Sequence, residues 1–349
     1  MGDIMNHNRQ NMHRRRRRRR RRFTKRFLAL VFTVFAGIFA FVMINVLGIG
    51  ENGEDNGANG TQYLEHIDIS QLRTNFDDIS LIYIFYYVNT EMDMSRHHII
   101  DDYGLVYFIT HIPEQNAINI TTIAPVVFFT QYSYDTRNVY ITVVNPRDVY
   151  SRILIIDPGH GGADTGAIVG NIHESSITLA IGLFLYELFQ DSESGIKAYL
   201  TRNDDSFVYN AHRAHVANTV GDLLLSIHTN SYEDSTAVSG TETLFNNNSP
   251  MSRYGNLGRY NLTNSAFSQI MQNHLVAELG TRDRGLVERP DLLLLNVSSV
   301  PTAYVEIDFK TNPQALLGLT NPAYQQRIAR ALYNGVIEAF ERAENGSAD

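Results

Sequence analysis

Hydrophobic and polar positions alternate along this chain in four different ways, and each way predicts a different kind of structure. Phe27 to Gly50, "FLALVFTVFAGIFAFVMINVLGIG", carries no charge and few polar side chains. About 20 apolar residues suffice for a helix to cross a bilayer, so the stretch predicts a transmembrane anchor over 27–49. A cleaved signal peptide is the rival, but its apolar region normally spans about 7–15 residues. Next, "ENGEDNGANGTQ" is rich in Gly, Asn and acid and reads as a flexible linker over 50–62. From 63 to 150, short β-branched and aromatic runs such as "ISLIYIFYYV", "LVYFITHI" and "NVYITVVN" are separated by turn residues. They predict a small β-rich module.

Beyond 151 the rhythm changes again. "RILIID", "GIKAYLTR", "DLLLSIH" and "AYVEIDF" read as strands. "ESSITLAIGLFLYELF", "YNAHRAHVAN", "AFSQIMQNHLVAEL" and "PAYQQRIARALYNGVIEAFERA" have apolar residues at helical spacing. Strands separated by helices predict an α/β domain over 151–343, a mostly parallel sheet flanked by helices, with a short tail at 344–349.

Charge sharpens this picture. Residues 1–26 hold an unbroken run of nine arginines, Arg14 to Arg22, and the first fifty residues hold twelve of the 29 basic residues but one acid, Asp3. Beyond position 50 there are 17 basic and 36 acidic residues, a net of −19. Basic flanks stay on the cytoplasmic side, so the N-terminus is expected inside and all that follows the anchor outside the cytoplasm. The acidic remainder lacks the clustered positive charge that nucleic acid requires. With no cysteine among 349 residues, a metal site has to be built from His, Asp and Glu.

In open α/β sheets the active cleft lies beyond the carboxyl ends of the strands. That rule gathers His160 after "RILIID", His228 at the end of "LLLSIH", Glu306 late in "AYVEIDF" and Glu174 at the first helix start. Glycines at 159, 161 and 162 would let the chain turn sharply and direct His160 into the cleft. Two imidazoles and one carboxylate form a ligand set used by catalytic zinc, which activates water and polarises a carbonyl. The remaining acid, Glu306, would then be a general base. Rivals remain open at this point: His173 beside Glu174, and His212 with His215 three residues apart on a helix face. His97 and His98 are adjacent on a strand and so point to opposite faces. The glycine loop lacks both the P-loop and dinucleotide patterns, which leaves phosphate binding as a minor alternative.

"IIDPGHGGADTGAIVG", "HESSITLA", "YLTRNDD", "HRAHVAN", "DLLLSIHTN", "SGTET", "RDRGL" and "PTAYVEIDFKTNP" occur in an order that resembles the zinc-dependent N-acetylmuramoyl-L-alanine amidases of bacterial cell walls. The resemblance covers about 152–343. It implies one zinc ion on His160, Glu174 and His228, Glu306 as catalytic glutamate, and hydrolysis of the amide between N-acetylmuramic acid and L-alanine in peptidoglycan. It assigns Arg284 a substrate contact and Glu242 a structural place. Two departures stand out, Asp308 where the family commonly has Gly and Ser175 where it commonly has Lys. On a regular strand Asp308 would share a face with Glu306, so a second carboxylate is expected beside the base. An inactive zinc-containing wall-binding protein and a zinc peptidase of the same fold are the alternative functions. The position of the β-rich module suggests a part in holding wall polymer.

Overall fold

The computed structural model describes residues 72–87, 95, 97–133, 138–250, 260 and 262–346. The basic segment, the apolar stretch 27–49 and the linker lie outside them. Among the described residues no helix is long and apolar enough to cross a membrane.

Seven strands precede the α/β part: β1 Leu72–Asp77, β2 Ile82–Tyr87, β3 His97–Asp101, β4 Val106–Ile112, β5 Ala117–Thr122, β6 Val127–Ser133 and β7 Asn138–Val144. They form two sheets, β1-β2-β5-β4 and β3-β7-β6. Period-2 alternation sends Ile118 and Ile120 of β5, and Val139, Ile141 and Val143 of β7, into one apolar core with Tyr83 and Phe85. The Phe128 ring meets Tyr83 and Phe85 edge-on at 4.8 and 4.9 Å. His97 and His98 show different exposure on β3, as their adjacency implies, and His98 stacks on Tyr140.

The second part is a six-stranded sheet built from β8 Arg152–Pro158, β11 Ile196–Leu200, β12 Leu223–Asn230, β13 Thr241–Phe245, β14 Asp283–Glu288 and β15 Thr302–Phe309, in the order β11-β8-β12-β15-β13-β14. A two-residue hairpin, β9 Ile168–Val169 and β10 Ile172–His173, lies in the loop after β8. The helices are α1 Glu174–Gln190, α2 Asn210–Val220, α3 Asn264–Leu279, α4 Leu293–Val297, α5 Pro313–Leu319 and α6 Pro322–Asn345. Every sheet pair is parallel except β13 with β15. The expected mostly parallel sheet thus carries one reversal, placed in the stretch where the hydrophobic pattern is weakest. Four elements were not anticipated there, β13, β14, α4 and α5, because they are five to seven residues long and lack a clear apolar period.

Both faces of the sheet are covered. Leu154, Ile156, Leu225, Ile227, Ala303, Val305 and Ile307 pack against α1, α3 and α6. Ile153, Ile155 and Leu224 pack against residues of α2 and α4 on the other face. Fully burying one such aliphatic side chain contributes about 1.5–3 kcal/mol. Helices α5 and α6 start alike, with Asn312-Pro313 and Asn321-Pro322: each Asn side chain accepts the backbone N–H two residues on, and proline occupies the first turn.

At the end of β8 the chain buries a charge. Asp157 is fully inaccessible and accepts hydrogen bonds from Thr201 Oγ1 at 2.6 Å, Ser226 Oγ at 2.7 Å and Arg213 at 2.6 Å. Burial alone would push this carboxyl up, but the Arg213 charge and the two hydroxyls outweigh it and hold it below the usual carboxylate range. Removing one partner of such a buried pair costs about 3–5 kcal/mol. Arg213→Met is therefore expected to lower the unfolding free energy by about that amount in denaturant titrations. The folded pKa lies below the unfolded value near 3.9, so the Asp157 contribution is complete above about pH 5 and disappears as pH falls through the depressed value. The acid limb of a melting-temperature profile should be shallower in Asp157→Asn than in the parent; equal limbs would refute the linkage.

Candidate metal centre

Three donors from three elements meet at one point. His160 follows β8, Glu174 opens α1 and His228 lies near the end of β12. His160 Nε2 is 3.1 Å from Glu174 Oε1, His228 Nδ1 is 3.1 Å from the same oxygen, and the two nitrogens are 3.2 Å apart. This near-equilateral triangle suits a divalent ion, since tetrahedral ligands at 2.0–2.1 Å from zinc stand about 3.3 Å apart. Among the described residues, these three form the group of His, Asp and Glu able to hold a metal. His173 precedes α1 outside it without a side-chain capping bond, and the rings of His212 and His215 lie 6.5 Å apart on α2.

The loop backbone creates the geometry, partly by a route the sequence did not reveal. His160 itself has φ 62°, a left-handed conformation, and Gly161 and Gly162 follow at φ 131° and 58°. Gly159 serves differently. A Cβ there would stand 2.1 Å from His228 Cε1, so the missing side chain makes room for the imidazole instead of permitting a turn. Gly166 does the same for Glu174 and His160, whose atoms would lie 2.7 Å from a Cβ.

Hydrogen bonds fix each ligand. Asp164 meets His160 Nδ1 at 2.9 Å, which leaves Nε2 to present its lone pair to the centre. Glu174 Oε1 accepts the Thr229 N–H at 3.1 Å and Oε2 accepts the Ala167 N–H at 3.2 Å. The Tyr304 ring stacks on His228 at 4.0 Å, 11° from coplanar. Two buried arginines hold the loop from below. Arg202 donates to the carbonyls of Pro158, Gly159 and Ser175, and Arg213 to those of Pro158 and His160. Asp164, Arg202, Arg213 and Tyr304 were missed as site residues. An arginine beside an apolar strand end, as in Leu200-Thr201-Arg202, was the available signal.

Electrostatics separates the acids. Burial would raise Glu174, but hydrogen bonds from His160 and His228 outweigh it and hold its carboxyl far below the ordinary range. Burial lowers His228, favouring the neutral imidazole that a metal requires. Glu306 pairs in register with His228 on one side and Glu242 on the other. Burial, then the charges of Glu174 and Glu242, push its carboxyl well up. Its Oε2 is enclosed and has no hydrogen-bond partner among the described residues. A cavity of about 80 Å³ beside the centre is lined by His160, His228, Asn210, Leu293 and Tyr304.

Asp308 does not share this environment. It sits at φ 57° where the β12–β15 register shifts, so strand alternation fails at that residue. Its carboxylate accepts the N–H groups of Gly240 and Phe309 at 2.7 and 2.8 Å. The left-handed conformation explains why glycine suits the position, and Asp is among the few other residues that tolerate it. Ser175 is buried and gives its carbonyl to Arg202. Arg284 is exposed, lies over the Phe309 ring at 4.9 Å and donates to Glu242 at 3.1 Å. Glu242 also accepts from Asn230 at 2.7 Å.

Two substitutions separate these contributions. Gly159→Ala should displace the His228 ring and abolish stoichiometric zinc binding while the circular-dichroism spectrum stays native. Asp164→Asn should weaken zinc affinity about 10–100-fold, the usual effect of losing an orienting partner. Competition with a chromophoric chelator measures both, and unchanged affinity in either would overturn that residue's role.

Residues 154–338 match the family model described as N-acetylmuramoyl-L-alanine amidase. The chain is similar to the uncharacterized protein YqiI of Bacillus subtilis, 32% identical over 56% of this chain and 87% of that one. It is also similar to N-acetylmuramoyl-L-alanine amidase LytC of the same organism, 31% identical over 55% of this chain and 36% of LytC. Among solved structures, N-acetylmuramoyl-L-alanine amidase AmiC2 of Nostoc punctiforme aligns with a TM-score of 0.49 at 27% identity, over 55% of this chain and 98% of that one. The matched region takes in the six-stranded sheet except the first two residues of β8, together with the three converging donors, and the chain belongs to the N-acetylmuramoyl-L-alanine amidase family.

Proposed function

We propose that this chain is a membrane-anchored peptidoglycan amidase, working outside the cytoplasm, in which His160, Glu174 and His228 hold one zinc ion and Glu306 is the general base. The bond cut is the amide between the lactyl group of N-acetylmuramic acid and the L-alanine of the stem peptide. The observation that carries this reading is the convergence of three preoriented donors beside an unpaired, enclosed carboxyl. When bound, zinc supplies a Lewis acid that polarises the carbonyl and brings the pKa of water to about 7.

The protein's own groups do the rest. Glu306 Oε2 takes the proton from the attacking water, holds it, and delivers it to the departing nitrogen. Burial and the neighbouring carboxylates raise its affinity for a proton, which suits an ionised base that takes one and keeps it between two steps. The stacked Tyr304 holds the His228 plane while charge moves next to it. Arg284, exposed beside Glu242, is assigned a contact with substrate. The anchor and its orientation rest on the apolar stretch 27–49 and the arginine run before it.

Mass spectrometry of purified peptidoglycan digested by the full chain tests the reading. New stem peptides with a free L-alanine amino terminus are expected, and a chelator should abolish them. Products cut between two amino acids would indicate a peptidase instead, and binding without products an inactive wall protein. Glu306→Gln is expected to retain one zinc per chain and lose about 10²–10⁴-fold in turnover, the range for general acid–base catalysis. Near-parental turnover would remove Glu306 from the mechanism.

A further inference from the structure

A second cavity, of about 390 Å³, lies where the carboxyl end of β15 meets the start of β13 and the turn before β14. Its walls include Gly240, Thr281, Arg282, Asp308, Gln314 and Tyr324. Nothing in the proposed hydrolysis uses these residues. The space is in the range that small-molecule sites occupy.

Two opposite charges line it without neutralising each other. Asp308 spends one oxygen, Oδ1, on the N–H groups of Gly240 and Phe309, while Oδ2 makes no hydrogen bond to any described residue. Arg282 is exposed and has no ion pair among the described residues. Gly240 holds them on two sides of one backbone turn: its N–H is bound by Asp308, and a Cβ on it would meet Arg282 Cβ at 3.1 Å. The Tyr324 hydroxyl lies within the field of Asp308, which with burial raises its pKa. A simple anion would be repelled by Asp308 and a simple cation by Arg282. A group with an ammonium next to a carboxylate satisfies both.

The location gives such a group a source. Counting from His228 on β12, the edge of the sheet passes Glu306 on β15 and reaches β13, two strand spacings of about 4.8 Å each. An extended peptide advances about 3.3 Å per residue, so about three residues cover that sideways offset along the sheet edge. We propose that this cavity binds an amino-acid head group borne on a side chain of the stem peptide, with its ammonium at Asp308 and its carboxylate at Arg282. The proposal rests on the peptidoglycan reading above. It also gives the departure from glycine at 308 a purpose: the one residue added there supplies a carboxylate.

The test uses the full chain carrying Glu306→Gln, so that ligands survive. Calorimetry compares two muropeptides that differ at the third stem residue, one with diaminopimelate, which ends in an amino-acid head group, the other with lysine, which ends in an amine alone. The first should bind about tenfold more tightly, the effect of one charge-assisted contact. Asp308→Gly, which suits the left-handed backbone, and Arg282→Gln should each erase the preference. Equal affinities in the parent, or a preference that survives both substitutions, overturns the proposal. Free diaminopimelate forms the separate arm. Saturable binding that both substitutions abolish, with no muropeptide bound, would sustain the cavity as a head-group site and overturn the stem-peptide assignment.

Discussion

A carboxylate with no access to water, Asp157, is the constraint on which the centre depends. Its partners come from three directions: Thr201 after β11, Ser226 within β12 and Arg213 on α2. Because a buried charge is tolerated only when every partner is in place, these elements can dock in one arrangement. Arg213 then turns from Asp157 to the carbonyls of Pro158 and His160, and Arg202 takes those of Pro158 and Gly159. The loop that carries His160 is thereby held by its backbone. This matters because His160 adopts a left-handed conformation, which costs a non-glycine residue about 1–3 kcal/mol. Two charge-assisted anchors, each worth about 1.5–3 kcal/mol, are enough to offset that strain.

The same edge of the sheet sorts acids by surroundings. Glu174 stands at a helix N-terminus and accepts two backbone N–H groups, so its charge is stabilised twice over. Glu306, two strands from β8, receives no such bond at Oε2 and is buried within the field of Glu174 and Glu242. One carboxyl is thus held ionised and the other is pushed toward its protonated form. Divergent pKa values in neighbouring acids are the mark of an acid–base pair of roles. Here the divergence comes from the His160 and His228 hydrogen bonds at Glu174 and from burial among like charges at Glu306.

The sequence made the long periodic elements legible because burial on both sheet faces imposes strong patterns. β8, β12 and β15 read as apolar runs, and α1, α3 and α6 as helices, and the four chemistry-bearing residues lie at their ends. What escaped notice depended on contacts between distant segments. Arg202 and Arg213 look like solvent-facing residues until the carbonyls they bind are brought beside them. Gly159 reads as a turn residue, yet its role is set by His228, far along the chain. Asp308 was placed next to Glu306 by strand alternation, and a bulge at that residue cancels the rule. Short elements such as β13 and α4 carry too few residues for a period to show.

The wide spacing of the ligands has a thermodynamic consequence. A compact pair of ligands on one helix can bind metal before the rest of the chain folds, but positions 160, 174 and 228 come together only when β8, α1 and β12 have packed. Metal affinity is then a property of the folded state alone, and any ion held there adds stability in proportion to the logarithm of its concentration over Kd. None of the three donors belongs to the apolar core beneath the centre or to the Asp157 network, so the fold has sources of stability besides that gain.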